Sequence, residues 1–157
     1  MTKHSNITKL IVETLYHEAL DLAEEARVIL GFFQKRVSDE AGADQNAVSV
    51  ALSREAIKTT TMMMHATAWL LNQRAFFAGE LSEVQLQRMG RLPPAQEPGT
   101  AEELALLPFE VNEMVLEVRE FFHRVARMDR ERRAFSTTRS TPVHALQARL
   151  HGALARA

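Results

Sequence analysis

Between Gly42 and Gly79 the chain contains neither glycine nor proline, and from Thr59 to Gln73 it contains no charge. No sustained period-2 alternation runs through this stretch or any other, so a sheet is not expected. The segment from about Gln45 to Ala78 reads as one long helix. Its first part carries Arg54, Glu55 and Lys58; its second carries Met62, Met63, Met64, Trp69, Leu70 and Leu71. A helix apolar around most of its circumference is buried on most sides. This one is therefore expected at the centre, with other helices on two of its faces. The uncharged run is shorter than the roughly 20 residues of a bilayer span, and its threonines, His65, Asn72 and Gln73 suit a protein interior better than lipid. Gly79 fits a C-terminal stop.

Two further long helices flank it in sequence. From about Thr8 to Val37, apolar residues at Ile11, Leu15, Ala19, Leu22, Ala26, Ile29, Phe33 and Val37 recur every three or four positions. That spacing makes one helical stripe. Gly31 interrupts it at a cost of about 1 kcal/mol relative to alanine. The stripe continues beyond, so the helix is expected to run through, and Asp39–Asp44 reads as a turn. The third helix opens at Pro108, where a missing N–H costs nothing, and runs to about Arg133. Its stripe is Val111, Val115, Val118, Phe122, Val125 and Met128. Glutamates load its first half and arginines its second, complementing the helix dipole. Between the second and third helices, Ser82-x-x-Gln85 and Thr100-x-x-Glu103 have the form of capping boxes that open short helices. Gly90, Pro93, Pro94, Pro98 and Gly99 mark the loop between them.

After Phe135 the composition shifts. Ser136–Thr141 reads as a linker, and Thr141-Pro142 can open a short amphipathic helix carrying Val143, Leu146, Leu150 and Leu154. The resulting expectation is an all-α fold. Residues 1–135 form an up-down-up three-helix bundle with short connecting helices, and residues 136–157 form a flexible, arginine-containing tail.

The 157 residues suit one domain. The absence of cysteine removes disulfides, thiolate metal sites and a cysteine nucleophile. Met1–Asn6 has no apolar signal-peptide core, so a cytoplasmic protein without a membrane segment is expected. Net charge is −1 overall but unevenly placed. Residues 1–118 hold ten basic residues against 17 acidic ones, a net −7; residues 119–157 hold nine arginines against three acids, a net +6. A solvated, dipole-complementing face explains part of this. Arginine forks also suit protein contacts, which makes Arg124, Arg127, Arg130, Arg132 and Arg133 a candidate docking surface, with Val143, Leu146 and Leu150 of the tail as a second. Nucleic acid fits less well, because the acidic body repels phosphate and few aromatics interleave with the arginines.

Catalytic patterns are missing. Glu120-x-x-His123 is a single element of a kind that bundle di-iron sites use twice, with two further glutamates. Glu13 and His17 lie four apart but read as a surface pair. His65 lacks the downstream lysine and glycine of a phosphotransfer domain, so a satisfied core or interface histidine is the better reading. Neither a glycine-rich phosphate loop nor Gly-x-Ser-x-Gly is present. An enzyme, a cofactor and a metal are therefore not expected.

Several blocks occur together in order. They are Leu15-Tyr16-His17-Glu18-Ala19-Leu20 with Glu24-Glu25-Ala26-Arg27, then Ser53-Arg54-Glu55 leading into Thr59-Thr60. Next comes Trp69-Leu70-Leu71-Asn72-Gln73-Arg74-Ala75 with Gly79-Glu80-Leu81-Ser82, and last Val125-Ala126-Arg127-Met128-Asp129-Arg130. Over about residues 8–135 the chain resembles the RcdA family, bacterial regulators of CtrA degradation. The resemblance implies a three-helix bundle, often a homodimer, with a flexible tail and no catalysis. It implies an adaptor that delivers cell-cycle regulators such as CtrA to the ClpXP protease, with CpdR-like and PopA-like partners, at a cell pole. Two other classes stay open: a phosphotransfer or metal-binding bundle, and a purely structural homodimer. The sequence also leaves open whether the uncharged helix is covered within one chain or partly supplies a dimer interface.

Overall fold

A computed structural model describes the backbone of residues 2–40 and 42–154, and the side chains of residues 6–40, 42 and 45–135. Five helices account for nearly all of it: α1 (Thr2–Asp39), α2 (Ala43–Phe77), α3 (Glu83–Met89), α4 (Ala101–Ala105) and α5 (Phe109–Leu154). There is no strand among the described residues. The chain divides into two compact units, Met1–Val125 and Ala126–Ala157.

In the first unit α1 and α2 run antiparallel. Glu13 near the start of α1 meets Arg74 near the end of α2, and Arg27 and Leu30 line a groove with Ser53 and Ile57. The first half of α5 reaches both helices, through Arg124 to Glu18 and Arg119 to Glu55. The core of this unit includes Leu15, Ala19 and Leu22 of α1, Met62, Ala66 and Leu70 of α2, and Val111, Val118 and Phe121 of α5. The middle of the α1 stripe lies where the spacing puts it. Two positions are displaced by one residue: Val12 and Leu30 are buried, while Ile11 is exposed and Ile29 only half-buried; Phe33 and Val37 beyond are half-buried between exposed neighbours, on the stripe. Gly31 interrupts nothing, and a Cβ added there meets open space.

Local chemistry sets the connections. Ser82 Oγ accepts from the Gln85 N–H at 3.3 Å while the Ser82 N–H donates to Gln85 Oε1 at 2.9 Å, a reciprocal cap on α3. Thr100 and Glu103 repeat the arrangement on α4, at 3.2 and 3.1 Å. Gly79, with φ of 80°, terminates α2 in the left-handed region that glycine enters without strain. Its N–H donates to the Phe76 carbonyl at 3.0 Å, and the Glu80 N–H to the Ala75 carbonyl at 2.9 Å.

Two expectations require correction. The α2 helix is not covered on most sides. Met62, Met63, Ala66, Trp69 and Leu70 are buried, but Val50, Ile57, Met64 and Leu71 are 53, 67, 60 and 45% exposed. The apolar excess that suggested a central helix is thus split between a closed face and an open one. Secondly, α5 does not stop near Arg133: its backbone continues through the Ser136–Thr141 stretch and past Pro142 to Leu154. Nucleating a new helix is costly, whereas extending an existing one adds a hydrogen bond per residue fixed. A helix anchored by its packed first half therefore carries residues that would not start one. Proline 142 forfeits one such bond, to the Thr138 carbonyl.

Candidate functional site

The arginines of α5 are in different circumstances. In the first unit Arg124 is bound to Glu18 of α1 through both guanidinium Nη atoms, one at 3.1 Å, and its guanidinium lies 5.3 Å from the Phe121 ring centroid. It is a tie between α5 and α1. In the second unit Arg133 Nη2 sits 2.9 Å from Asp129 Oδ2, one helical turn earlier, and Asp129 is buried. Arg132 is half-buried. Arg127 and Arg130 are exposed and make no ion pair among the described residues. Their spacing of three places them side by side on one helix face. The side chains of Val143, Leu146 and Leu150 lie outside the described residues.

A polar cluster within the first unit escaped the sequence reading. Glu55 is 2% exposed. Its Oε1 accepts from the Gly99 N–H at 3.0 Å and lies 3.9 Å from both Lys58 Nζ and Arg119 Nη2. Arg119 Nη1 in turn donates to the Gln96 carbonyl at 2.9 Å. Arg54 pairs with Glu103 beside them. The cluster ties the proline-rich loop to α2 and to the first half of α5, and the flanking cations offset the cost of burying the carboxylate. Gly99 belongs to it sterically, because a Cβ there would stand 3.1 Å from Glu55 Oε1. No sequence signal links residues 44 positions apart, so this pairing was not legible. The hydrogen bond from the Thr100 N–H, then the one from Arg54, hold the Glu103 carboxyl below its ordinary value.

The groove between α1 and α2 has a volume of about 870 Å³ and is lined by small residues such as Ala23, Ala26, Gly31, Ser53 and Ala56, with Thr60. Its charged lining residue, Arg27, is held by Glu24 at 2.6 and 2.8 Å. Nothing in that lining forms a nucleophile–base pair.

The other histidines and carboxylates stay apart. Among the described residues, no three His, Asp or Glu side chains are placed to hold a metal ion. Glu13 is engaged by Arg74 at 3.0 and 3.1 Å, and that guanidinium also lies 4.2 Å from the Tyr16 ring centroid. His65 departs from expectation, since its Nδ1 is buried without a hydrogen-bond partner among the described residues. No described helix is long and apolar enough to cross a membrane.

The chain belongs to the family described as Protein of unknown function (DUF1465), whose model matches residues 3–154. Comparison with curated proteins and with solved structures gives no match.

Proposed function

We propose that this protein is a non-enzymatic adaptor of regulated proteolysis, whose helices form an up-down-up bundle and whose exposed arginines dock a protein partner. The observation that carries the reading is the pair Arg127 and Arg130, exposed on one face of α5 and free of ion pairs among the described residues. Arginine forks left uncompensated at a surface are suited to carboxylate-rich protein patches. The blocks that resemble the RcdA family suggest the partners: the ClpXP protease, CpdR-like and PopA-like adaptors, and CtrA-like cargo, in the cytoplasm and at a cell pole. The mechanism is tethering. Holding cargo beside the protease raises its effective concentration without new chemistry, so neither cofactor nor metal is called for.

Purified ClpXP with a CtrA-like cargo and its partner adaptors tests the proposal. The full chain should accelerate cargo loss, and the Arg127→Glu/Arg130→Glu double variant should lose most of that acceleration while its helical circular dichroism is unchanged. Equal acceleration by the variant would remove the docking assignment. No acceleration by the unaltered chain would remove the adaptor reading.

A further inference from the structure

The first half of α5 has an outward face that the core does not use. Phe109 and Leu116, seven residues apart, are 73 and 57% exposed. Glu110, Glu113, Glu117 and Glu120 are exposed beside them. At about 100° per residue, all six side chains fall within roughly 120° of the helix circumference, with the two apolar ones along one margin. Leu106, also exposed, stands in the turn that leads into the helix. That turn is fixed, because Asn112 Nδ2 donates to the Leu104 carbonyl at 3.0 Å.

The charge on this face has no use within the first unit. Glu24 and Glu40 of the same chain each pair with an arginine one turn away. Glu110, Glu113, Glu117 and Glu120 make no ion pair among the described residues, and Arg124, four positions after Glu120, is taken by Glu18. Successive members of the four are three or four residues apart, so they repel one another along the helix. The helix dipole offsets this for Glu110 in the first turn and falls off beyond it. The carboxylates are strung along about 15 Å of helix and do not converge on a cation; among the described residues no three such groups are placed to hold a metal ion.

We infer that this face docks a basic amphipathic helix of a partner protein, one carrying apolar residues two turns apart with lysine or arginine beside them. The inference does not depend on the adaptor reading. Three features select this occupant. Phe109 and Leu116 are about 10 Å apart along the axis, a separation that a facing helix matches with its own seven-residue spacing. The flanking glutamates are complementary to cations, which sets aside nucleic acid and an anionic lipid surface. A second copy fits poorly, because a two-fold contact would set these glutamates against themselves. Docking a basic helix relieves the repulsion within α5 and takes the Phe109 ring out of water.

Fluorescence anisotropy tests this with a labelled probe peptide of about three heptads, with leucine at a and d and lysine at e and g. The control is a peptide of the same composition with its leucines scattered around the helix. The full chain should bind the probe about tenfold or more tightly than the control. Phe109→Ala/Leu116→Ala and, separately, Glu113→Lys/Glu117→Lys should each weaken binding about tenfold with helical circular dichroism retained. Glu25→Lys, on α1, should change it by less than about twofold. Arg127→Glu/Arg130→Glu, the variant that tests the adaptor reading, should not weaken it. Absence of binding overturns the inference. Equal binding of the control peptide, or an equal loss in Glu25→Lys and Glu113→Lys/Glu117→Lys, would reduce the attraction to net charge and overturn it too. So would binding that survives Phe109→Ala/Leu116→Ala, or amide shifts on binding that fall outside residues 106–120. A sedimentation mass that drops to the single-chain value only in Phe109→Ala/Leu116→Ala would give the face to a second copy and likewise remove the proposed occupant.

Discussion

The two faces of α2 are built from the same residue types and meet different surroundings. Met62 is 1% exposed and Met64, two positions on, is 60% exposed. On the closed face, Trp69 and Leu70 pack in the core; on the open face, Leu71 is 45% exposed. Composition cannot separate a core from an open apolar face, because both are stretches from which charge is excluded. The separation comes from the neighbours. In the first unit α1 and the first half of α5 supply enough apolar surface to cover one side of α2, and the other side is left over.

The sharpest way to break this comparison is to truncate both methionines. Met62→Ala should cost about 2–5 kcal/mol, the range for emptying a packed methionine site. Met64→Ala should cost less than about 0.5 kcal/mol in the single chain, since it empties no cavity. Thermal unfolding of the two variants at low protein concentration checks this. For a chain of this size the first should lower Tm by roughly 2–4 °C per kcal/mol, and the second should scarcely move it. Equal losses would mean that the open face is covered within the single chain.

The polar end of the closed face gives the next effect. Gly99→Ala places a methyl 3.1 Å from Glu55 Oε1 and 3.4 Å from Leu104 Cδ2. Either the buried carboxylate moves off the Gly99 N–H or the loop does. A loss of about 1–3 kcal/mol is expected, measured by urea unfolding. Opposite in sign is Gly31→Ala in α1, at the groove edge. The added methyl meets nothing within 4 Å, and alanine is about 1 kcal/mol better than glycine inside a helix. A stabilisation up to that size is expected. A loss would mean that α1 needs its glycine, against the open space beside it.

Legibility in the sequence followed the range of the interaction. Both capping boxes stand where their four-residue patterns put them, because each is closed within one turn. The α5 stripe from Val111 to Val125 is buried as its spacing implies, since a stripe needs only helical geometry. The α1 stripe slipped by one residue at Ile11 and Ile29, where periodicity alone admits Val12 and Leu30 equally. The open face of α2 was present in the sequence as a seven-residue repeat, Val50, Ile57, Met64 and Leu71. It was masked by the apolar residues of the closed face on the same helix. The Glu55–Gly99 bond and the extension of α5 past Pro142 were not readable. One depends on which distant segments meet, the other on a helix already anchored elsewhere.

The smallest expected effect lies at the edge of the open face, where Arg54 of α2 meets Glu103 of α4. The Glu103 carboxyl accepts from the Thr100 N–H and from Arg54, and its pKa is lowered from 4.5 for that reason. A carboxylate with a lowered folded-state pKa binds protons less readily folded than unfolded. Its contribution is therefore fully present above about pH 4.5 and is lost as the pH falls below that value through the folded-state pKa. Because Glu103 is only half-buried and its partner Arg54 is exposed, screening keeps the effect small and local. The Thr100 and Glu103 amide resonances should shift together in this window, ahead of any change at the core residues of α2. Glu103→Gln keeps an acceptor for the Thr100 N–H but removes the charge that titrates. It should retain the α4 cap and abolish the pH dependence at Thr100. A Thr100 shift that persists in Glu103→Gln would assign the titration to another carboxylate and remove Arg54–Glu103 from the rim of the open face.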